Sequence, residues 1–172
     1  MKTKQEFSSG GVVFKKLKND DLVFLLGKHS GYHKWVLPKG LIEKGETPQQ
    51  TTTRETEEEM GVKIKILNPE PIHIEKYSYF AQMKEATETE IKNPKIDQAT
   101  RRVIKYQEEG GKGIRVDKTV TFYLCKYISG DPKDHGWEME DAGWFSFEKA
   151  LTLMSFEGEK KALQKALEIL NK

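Results

Sequence analysis

One segment of the sequence carries helix signals at both of its ends. Thr47 suits the N-cap position, Pro48 suits the first helical turn, and Gln50 stands where it would complete a capping box with Thr47. Gly61 suits the left-handed conformation that closes a helix. The pattern therefore predicts a helix from Pro48 to about Met60, entered from a loop rich in Gly, Lys and Glu.

Alternating apolar runs on both sides of this helix indicate strands. The first two runs flank the polar turn Lys18-Asn19-Asp20 and predict an N-terminal hairpin. Near the C-terminus, apolar residues at helical spacing predict an amphipathic helix that packs on the sheet. The predicted strands are 8–14, 21–27, 62–67, 72–80 and 119–128, and the apolar helix positions are Ala162, Leu163, Ala166, Leu167 and Leu170.

The length of 172 residues fits one α/β or α+β domain over 1–172 that buries its own core. Residues 82–117 are polar and charged, so we expect a long loop or a partly helical insertion there, either a surface excursion or a functional segment. Cys125 stands in an apolar run and is expected to be a buried, unreactive thiol.

The charge balance and hydropathy restrict the class of protein. Net charge is +2 although 33% of the residues are charged, which disfavours a dedicated nucleic-acid binder. No run of 18 uncharged apolar residues occurs, and no apolar segment follows the N-terminal lysines. We therefore expect a soluble, cytoplasmic protein with no membrane partner.

Three glutamates of the predicted helix stand at i, i+3 and i+4 and share one helical face: Glu55, Glu58 and Glu59. Like charges at this spacing repel, and the helix dipole disfavours anions near the C-terminus, so the cluster requires a cation. Oxygen ligands without His or Cys favour Mg²⁺, Mn²⁺ or Ca²⁺ over zinc, and Mg²⁺ is commonly shared with substrate phosphates. The alternative is a solvated acidic helix face.

The residues around the cluster match a longer pattern. From Gly40 to Val62 the sequence GLIEKGETPQQTTTRETEEEMGV resembles the Nudix box, G-x5-E-x7-R-E-U-x-E-E-x-G-U with U aliphatic. One aliphatic position departs, because Thr56 stands there; threonine is nearly isosteric with valine, so we expect slightly poorer core packing and an intact metal site. Every fixed position is present: Gly40, Glu46, Arg54, Glu55, Glu58, Glu59 and Gly61.

The resemblance to the Nudix family implies an α/β fold, an α/β/α sandwich with a mixed sheet and a loop-helix-loop catalytic box. It implies a site for Mg²⁺, with Mn²⁺ able to substitute, and a buried pair of Glu46 and Arg54 that supports the box by fixing its loop to its helix. The implied metal ligands are Glu55, Glu58, Glu59 and the carbonyl of Gly40.

The reaction implied is hydrolysis of a phosphoanhydride bond in a nucleoside diphosphate linked to another group. A metal-activated water attacks phosphorus, without a covalent enzyme intermediate. The base is one of the box glutamates or an acid among Glu138, Glu140 and Asp141, from which we select Glu140 as the catalytic candidate. The alternative for these three acids is a solvated, charged turn.

The sequence before and after the box bears on the substrate. Pro38-Lys39-Gly40 resembles the entry to the box in dinucleoside polyphosphate hydrolases. Tyr77 and Tyr79 lie 16 and 18 residues beyond Gly61, where that subgroup tends to carry an aromatic residue. We predict diadenosine polyphosphates as substrates, with Lys39 and Lys118 on their phosphates and a tyrosine stacked on a base. Sheet packing for the tyrosines and simple solvation for the lysines are the alternatives.

Other functions stay open at this point. They are an RNA 5′-pyrophosphohydrolase, a hydrolase of ADP-ribose, sugar nucleotides, inositol pyrophosphates or nucleoside triphosphates, and a Nudix-fold module that binds a nucleotide without cleaving it. The expected partner is a nucleotide or dinucleotide small molecule, and nucleic acid enters only as capped or 5′-triphosphate RNA. The sequence does not indicate the oligomeric state.

Overall fold

The computed structural model describes residues 3–85, 102–107 and 113–172. Their packing forms two compact units. One, which we call the small unit, consists of Met1–Glu6 and Lys76–Thr119; the other, the box unit, consists of Phe7–Glu75 and Val120–Lys172. The single domain over 1–172 stays a prediction, and the two units are described separately.

The box unit is a sheet flanked by helices. The strands are β1 (Thr3–Lys16, from Phe7), β2 (Leu22–His29), β3 (Trp35–Val36), β4 (Lys39–Leu41), β5 (Val62–Ile66), β8 (Ile114–Gly130, from Val120) and β9 (Met139–Ser146), and the helices are α1 (Pro48–Met60), α2 (Phe147–Leu153) and α3 (Glu157–Leu170). The strand order is β3-β2-β1-β8, with β4 paired to β1, β5 to β8 and β9 to β2. A short 3-10 helix covers Pro132–Asp134.

The two faces of this sheet bury different helices. Because side chains alternate along a strand, neighbouring residues of β1 and β2 belong to different cores. One core joins the sheet to α2 and α3, and the other joins it to α1. The first contains Val12, Phe14, Phe24, Leu26, Ala150, Ala162, Leu163 and Ala166. The second contains Val13, Leu25, Met60, Val62, Tyr123 and Cys125.

This architecture confirms the predicted α/β fold class, in which helices pack on a mixed sheet. The N-terminal hairpin is also confirmed: β1 pairs antiparallel with β2, Phe14 lies opposite Phe24, and Asp20 takes a left-handed conformation (φ 67°) in the turn. Cys125 is fully buried as predicted, and burial raises the pKa of its thiol.

The small unit includes strand where the sequence predicts a loop or a partial helix. Strand β6 (His73–Glu85) continues past residue 80 and pairs antiparallel with β7 (Arg102–Gln107), with Phe80 opposite Gln107. The expectation for these parts of 82–117 is therefore wrong, because pairing between strands supplies the backbone hydrogen bonds that a polar sequence does not reveal. Residues 86–101 and 108–112 of that segment lie outside the described residues.

No helix in the described part of the chain is both long enough and apolar enough to span a membrane.

Candidate active site

Helix α1 has the ends that the sequence predicts. The Thr47 hydroxyl accepts the Gln50 amide at 3.2 Å, and the Gln50 side chain accepts the Thr47 amide at 2.9 Å, which completes the capping box. Gly61 closes the helix in the left-handed conformation (φ 68°). Thr56 is fully buried, and its hydroxyl donates to the Thr52 carbonyl at 2.7 Å, so the departure from an aliphatic residue leaves no polar atom unsatisfied.

The loop before α1 is fixed to the helix by Glu46 and Arg54. Arg54 Nε lies 2.8 Å from Glu46 Oε2, and Arg54 Nη2 lies 2.9 Å from Glu46 Oε1, a bidentate pair that is partly buried. Glu46 also accepts the Glu43 amide and the Thr51 hydroxyl. The hydrogen bond from Arg54 is the main cause that lowers the pKa of Glu46 to about 2.

Arg54 also contacts two of the three clustered glutamates. Its Nη1 atom lies 2.8 Å from Glu55 Oε1 and 3.2 Å from Glu58 Oε2. A Cβ atom on Gly40 would overlap the Glu55 carboxylate, so that carboxylate occupies the space that a side chain at position 40 would fill. The structure therefore brings Gly40, Glu55 and Glu58 together around Arg54.

Glu59 is the most buried of the three, with 6% of its surface exposed. Its Oε1 atom accepts the Lys39 amide at 2.9 Å, which ties the end of α1 to strand β4. Burial is the main cause that raises the pKa of Glu59, and the charge of Glu55 adds to it. Burial likewise raises the pKa of Glu55 to about 7. For both carboxylates, the effect of burial on the pKa outweighs that of the neighbouring cations, Arg54 for Glu55 and Lys39 for Glu59.

The chemistry of the donor atoms bears on the expected metal. The donors are all carboxylate or carbonyl oxygens, which suits Mg²⁺ or Mn²⁺. Among the residues that the structure describes, no three His, Cys, Asp or Glu side chains are yet arranged to hold a metal ion. The donor atoms therefore fit a divalent cation. In this structure, however, Arg54 contacts Glu55 and Glu58, so the ligand set stays a prediction.

The acids before and within β9 separate into two environments. Glu140 contacts His33 at 2.9 Å and Lys28 at 3.5 Å, and the hydrogen bond from His33 is the main cause that lowers its pKa. Glu138 instead has a raised pKa, through burial and then through the charge of Glu58. Asp141 accepts the amide of the next residue.

Backbone contacts hold the Glu138 segment against the end of α1. The Gly136 amide donates to the Glu59 carbonyl at 3.0 Å, and the Glu138 carbonyl accepts the Ser30 amide at 2.8 Å. The sequence selects Glu140 from this segment, whereas the structure associates Glu138 with the box glutamates and Glu140 with Lys28 and His33. The choice of Glu140 as the catalytic acid stays a prediction, and Glu138 is a second candidate from the same segment.

Lys39 lies at the entry to the box and has an acidic partner that the sequence analysis missed. Its ammonium lies 3.3 Å from Glu159 Oε2, on helix α3. The sequence did carry a signal: Glu159 precedes Ala162, Leu163 and Ala166 at helical spacing, so a charged residue stands on the apolar face of that helix.

The other predicted substrate residues belong to the small unit. Tyr79 is only 8% exposed, and its hydroxyl donates to Glu6 at 2.9 Å. Lys118 lies 4.0 Å from the same carboxylate. Tyr77 is exposed, with its ring centroid 6.2 Å from that of Tyr79. The exposure of Tyr77 is thus compatible with stacking on a base, whereas the ring of Tyr79 is buried against its neighbours.

Comparison with known proteins adds three kinds of similarity. The model of the NUDIX domain matches residues 10–166. The putative mutator protein MutT4 of Mycobacterium tuberculosis is 26% identical over 177 residues, which covers 100% of this chain and 58% of that protein. The pig bis(5'-nucleosyl)-tetraphosphatase [asymmetrical] is 48% identical over 48 residues, 27% of this chain and 33% of that protein. The chain thus spans less than two thirds of either relative.

A crystal structure of a C. elegans Ap4A hydrolase binary complex has a similar fold. Its TM-score is 0.64 at 22% identity, with 96% of this chain and 98% of that chain covered. At that level of identity the similarity extends to the fold, which agrees with the α/β architecture of the box unit.

Proposed function

This chain belongs to the Nudix family, and from that premise we propose that it is a Mg²⁺-dependent pyrophosphohydrolase that cleaves a phosphoanhydride bond in a nucleoside diphosphate linked to another group. The observation that carries the proposal is that one face of α1 carries two largely buried carboxylates, Glu55 and Glu59, which lie against the backbone of Gly40 and Lys39 at the entry to the box. Such a pair favours binding of a divalent cation together with an anionic phosphate.

The residues that would hold the metal are Glu55, Glu58, Glu59 and the carbonyl of Gly40. When bound, Mg²⁺ or Mn²⁺ would neutralise the phosphates, lower the pKa of a water molecule and stabilise the charge of the leaving phosphate. In the reaction, the water oxygen forms a bond to phosphorus, and the phosphoanhydride bond breaks with its electron pair passing to the leaving phosphate. One proton of the water passes to a carboxylate.

The chain's own residues prepare this reaction in three ways. The bidentate pair of Glu46 and Arg54 holds the loop on the helix, so the backbone at Gly40 keeps its place beside Glu55. The Lys39 amide fixes the carboxylate of Glu59. Glu138, held by backbone contacts near the end of α1, is the acid of its segment best situated to accept the water proton.

For the substrate, we propose dinucleoside polyphosphates of the diadenosine tetraphosphate type. Support comes from Pro38-Lys39-Gly40 and from the 48% identity with the pig tetraphosphatase over 48 residues. In the box unit, Lys39 would contact an outer phosphate, while the roles predicted for Lys118 on a phosphate and Tyr77 on a base concern the small unit by itself and stay predictions. The extra phosphates and second base supply binding energy that a mononucleotide lacks.

A substrate panel tests the proposal. Diadenosine tetraphosphate, ADP-ribose, nucleoside triphosphates, and capped or 5′-triphosphorylated RNA are assayed with Mg²⁺, with Mn²⁺ and with a chelator. We expect the highest kcat/KM for diadenosine tetraphosphate and no turnover with the chelator. A higher kcat/KM for RNA or ADP-ribose would replace the substrate assignment, and turnover without divalent metal would overturn the metal-dependent mechanism.

A pair of variants on α1 tests the role of the glutamates in that panel. Glu58→Gln removes a charged ligand and is expected to lower kcat by on the order of 10²-fold or more. Glu57→Gln is the matched control, because Glu57 lies on the same turn and pairs loosely with Lys63 at 4.0 Å. Binding of a nucleotide by the wild-type protein with no turnover on any substrate would instead identify a non-catalytic module.

A further inference from the structure

Glu159 is a buried acid on a helix face that otherwise packs in the core. It is 6% exposed, while Ala162, Leu163 and Ala166 on the same face of α3 are fully buried. Burying a carboxylate is unfavourable unless it is paired and hydrogen-bonded. Its presence on the apolar face of α3 therefore requires specific partners.

Both carboxylate oxygens of Glu159 have a partner at the entry to the box. Oε1 accepts the Leu37 amide at 2.6 Å, and Oε2 lies 3.3 Å from the Lys39 ammonium. The start of α3 packs closely on Glu75, because a Cβ atom on Gly158 would overlap the carboxylate of that residue. An anion at that end also suits the helix dipole. The helix thus presents Glu159 to Leu37 and Lys39.

Lys39 consequently lies between two acids on different helices. Its backbone amide donates to Glu59 of α1, and its ammonium pairs with Glu159 of α3. Glu159 therefore holds the ammonium of Lys39 at the start of α3, while the backbone of Lys39 stays bound to α1.

We propose that Glu159 is a positioning residue for substrate binding, which acts through Lys39 by holding its ammonium where the outer phosphate of the substrate arrives. The proposal rests on the proposed function in one respect, the contact of Lys39 with a phosphate. Glu159 itself does not touch the substrate. Its contribution is to KM, since it orients a binding group and takes no part in the bond changes.

A purely structural role would make a different prediction. If Glu159 served only to satisfy the Leu37 amide, Gln would replace it without loss, because a glutamine oxygen accepts the same hydrogen bond. Glu159→Gln keeps that acceptor and removes the charge that holds Lys39. The variant therefore separates the ion pair from the backbone hydrogen bond.

The test is a double-mutant cycle of Glu159→Gln and Lys39→Met, with Glu157→Gln as control. Glu157 lies in the same turn of α3 but is exposed and pairs with Lys160. We expect Glu159→Gln to raise KM by about 5–20-fold with kcat little changed, and to add nothing in the Lys39→Met background. Glu157→Gln should behave as wild type.

The same cycle is measured by calorimetry as affinity for inorganic triphosphate with Mg²⁺, which needs no turnover. An unchanged or lowered KM in Glu159→Gln, or an equal loss of triphosphate affinity with and without the Lys39 ammonium, would overturn the proposal. A wild-type protein that cleaves no substrate of the panel, yet shows the expected coupling in triphosphate binding, would overturn the hydrolase function and support the role of Glu159.

Discussion

The guanidinium of Arg54 holds the carboxylate of Glu46 through two parallel hydrogen bonds, Nε to Oε2 at 2.8 Å and Nη2 to Oε1 at 2.9 Å. Glu46 is the last loop residue before the N-cap Thr47, and Arg54 lies in the second turn of α1, so the pair fixes the end of the loop to the helix. The planar fork of arginine suits this geometry in a way that lysine does not.

This pair predicts a dependence of stability on acid pH. The pKa of Glu46 falls from its ordinary value of 4.5 to about 2 in the folded protein. The stabilisation is therefore complete above about pH 4.5 and is lost as the pH falls towards 2. Glu46→Gln should lower Tm by about 2–4 °C at pH 7, and by less at pH 3, as measured by thermal circular dichroism.

Glu43→Gln is the control for that experiment. Glu43 lies 3.7 Å from Arg54 but is exposed, so its removal should change Tm little at either pH. An equal loss of Tm for Glu46→Gln at pH 7 and pH 3 would contradict the assignment of the effect to the ion pair.

Gly40→Ala should impair the reaction while leaving the fold intact. The added Cβ atom would overlap the Glu55 carboxylate, which is the mobile end of a side chain and must therefore move. Displacement of a group in the site by about 1 Å can cost on the order of 10²-fold in rate, so we expect a fall in kcat of that order with Tm nearly unchanged. Gly143→Ala is the control, because its Cβ atom would meet only ordinary contacts at 3.5 Å. Wild-type turnover in Gly40→Ala would contradict the assignment of Glu55 to the site.

What the sequence predicts well here is local. Thr47, Gln50 and Gly61 fix the ends of α1 through hydrogen bonds within a few residues, so the helix bounds could be predicted. The contact between Lys39 and Glu159 spans 120 residues, and no local pattern encodes it. A charged residue on the apolar face of α3 was the available signal.

The choice between Glu138 and Glu140 could not be made from alternation along β9. The pairing of β9 with β2 shifts register between Lys28 and His29, so Lys28 faces Asp141 and His29 faces Met139. A shift of one residue changes the face on which every side chain lies. The strands beyond residue 80 were missed for a related reason, since their partner strand lies elsewhere in the chain.

Substrate choice is predicted to depend on Tyr77, which is exposed, and not on Tyr79, which is buried. Tyr77→Ala should raise KM for diadenosine tetraphosphate by about tenfold while sparing a small diphosphate, because one stacking ring is lost. Tyr79→Phe keeps the buried ring and should leave KM unchanged, while Tyr79→Ala should lower Tm through the loss of packing. Steady-state kinetics on both substrates check the first result. A wild-type KM in Tyr77→Ala would show that the tyrosine does not bind the base.

Glu138 and Glu140 form a matched pair for locating the general base. Glu138 belongs to a segment whose Gly136 amide donates to the Glu59 carbonyl, and its pKa responds to Glu58, so its carboxylate lies within electrostatic range of the box. Glu140 instead contacts His33 at 2.9 Å and Lys28 at 3.5 Å. Removing a general base typically costs 10²–10⁴-fold, so Glu138→Gln should lower kcat by about 10²-fold, while Glu140→Gln should change it by no more than roughly twofold. Unchanged Tm in both variants would exclude unfolding as the cause. If Glu140→Gln were the impaired variant, the choice of Glu140 made from the sequence would be correct. If neither variant were impaired, the proton would pass to a glutamate of the box.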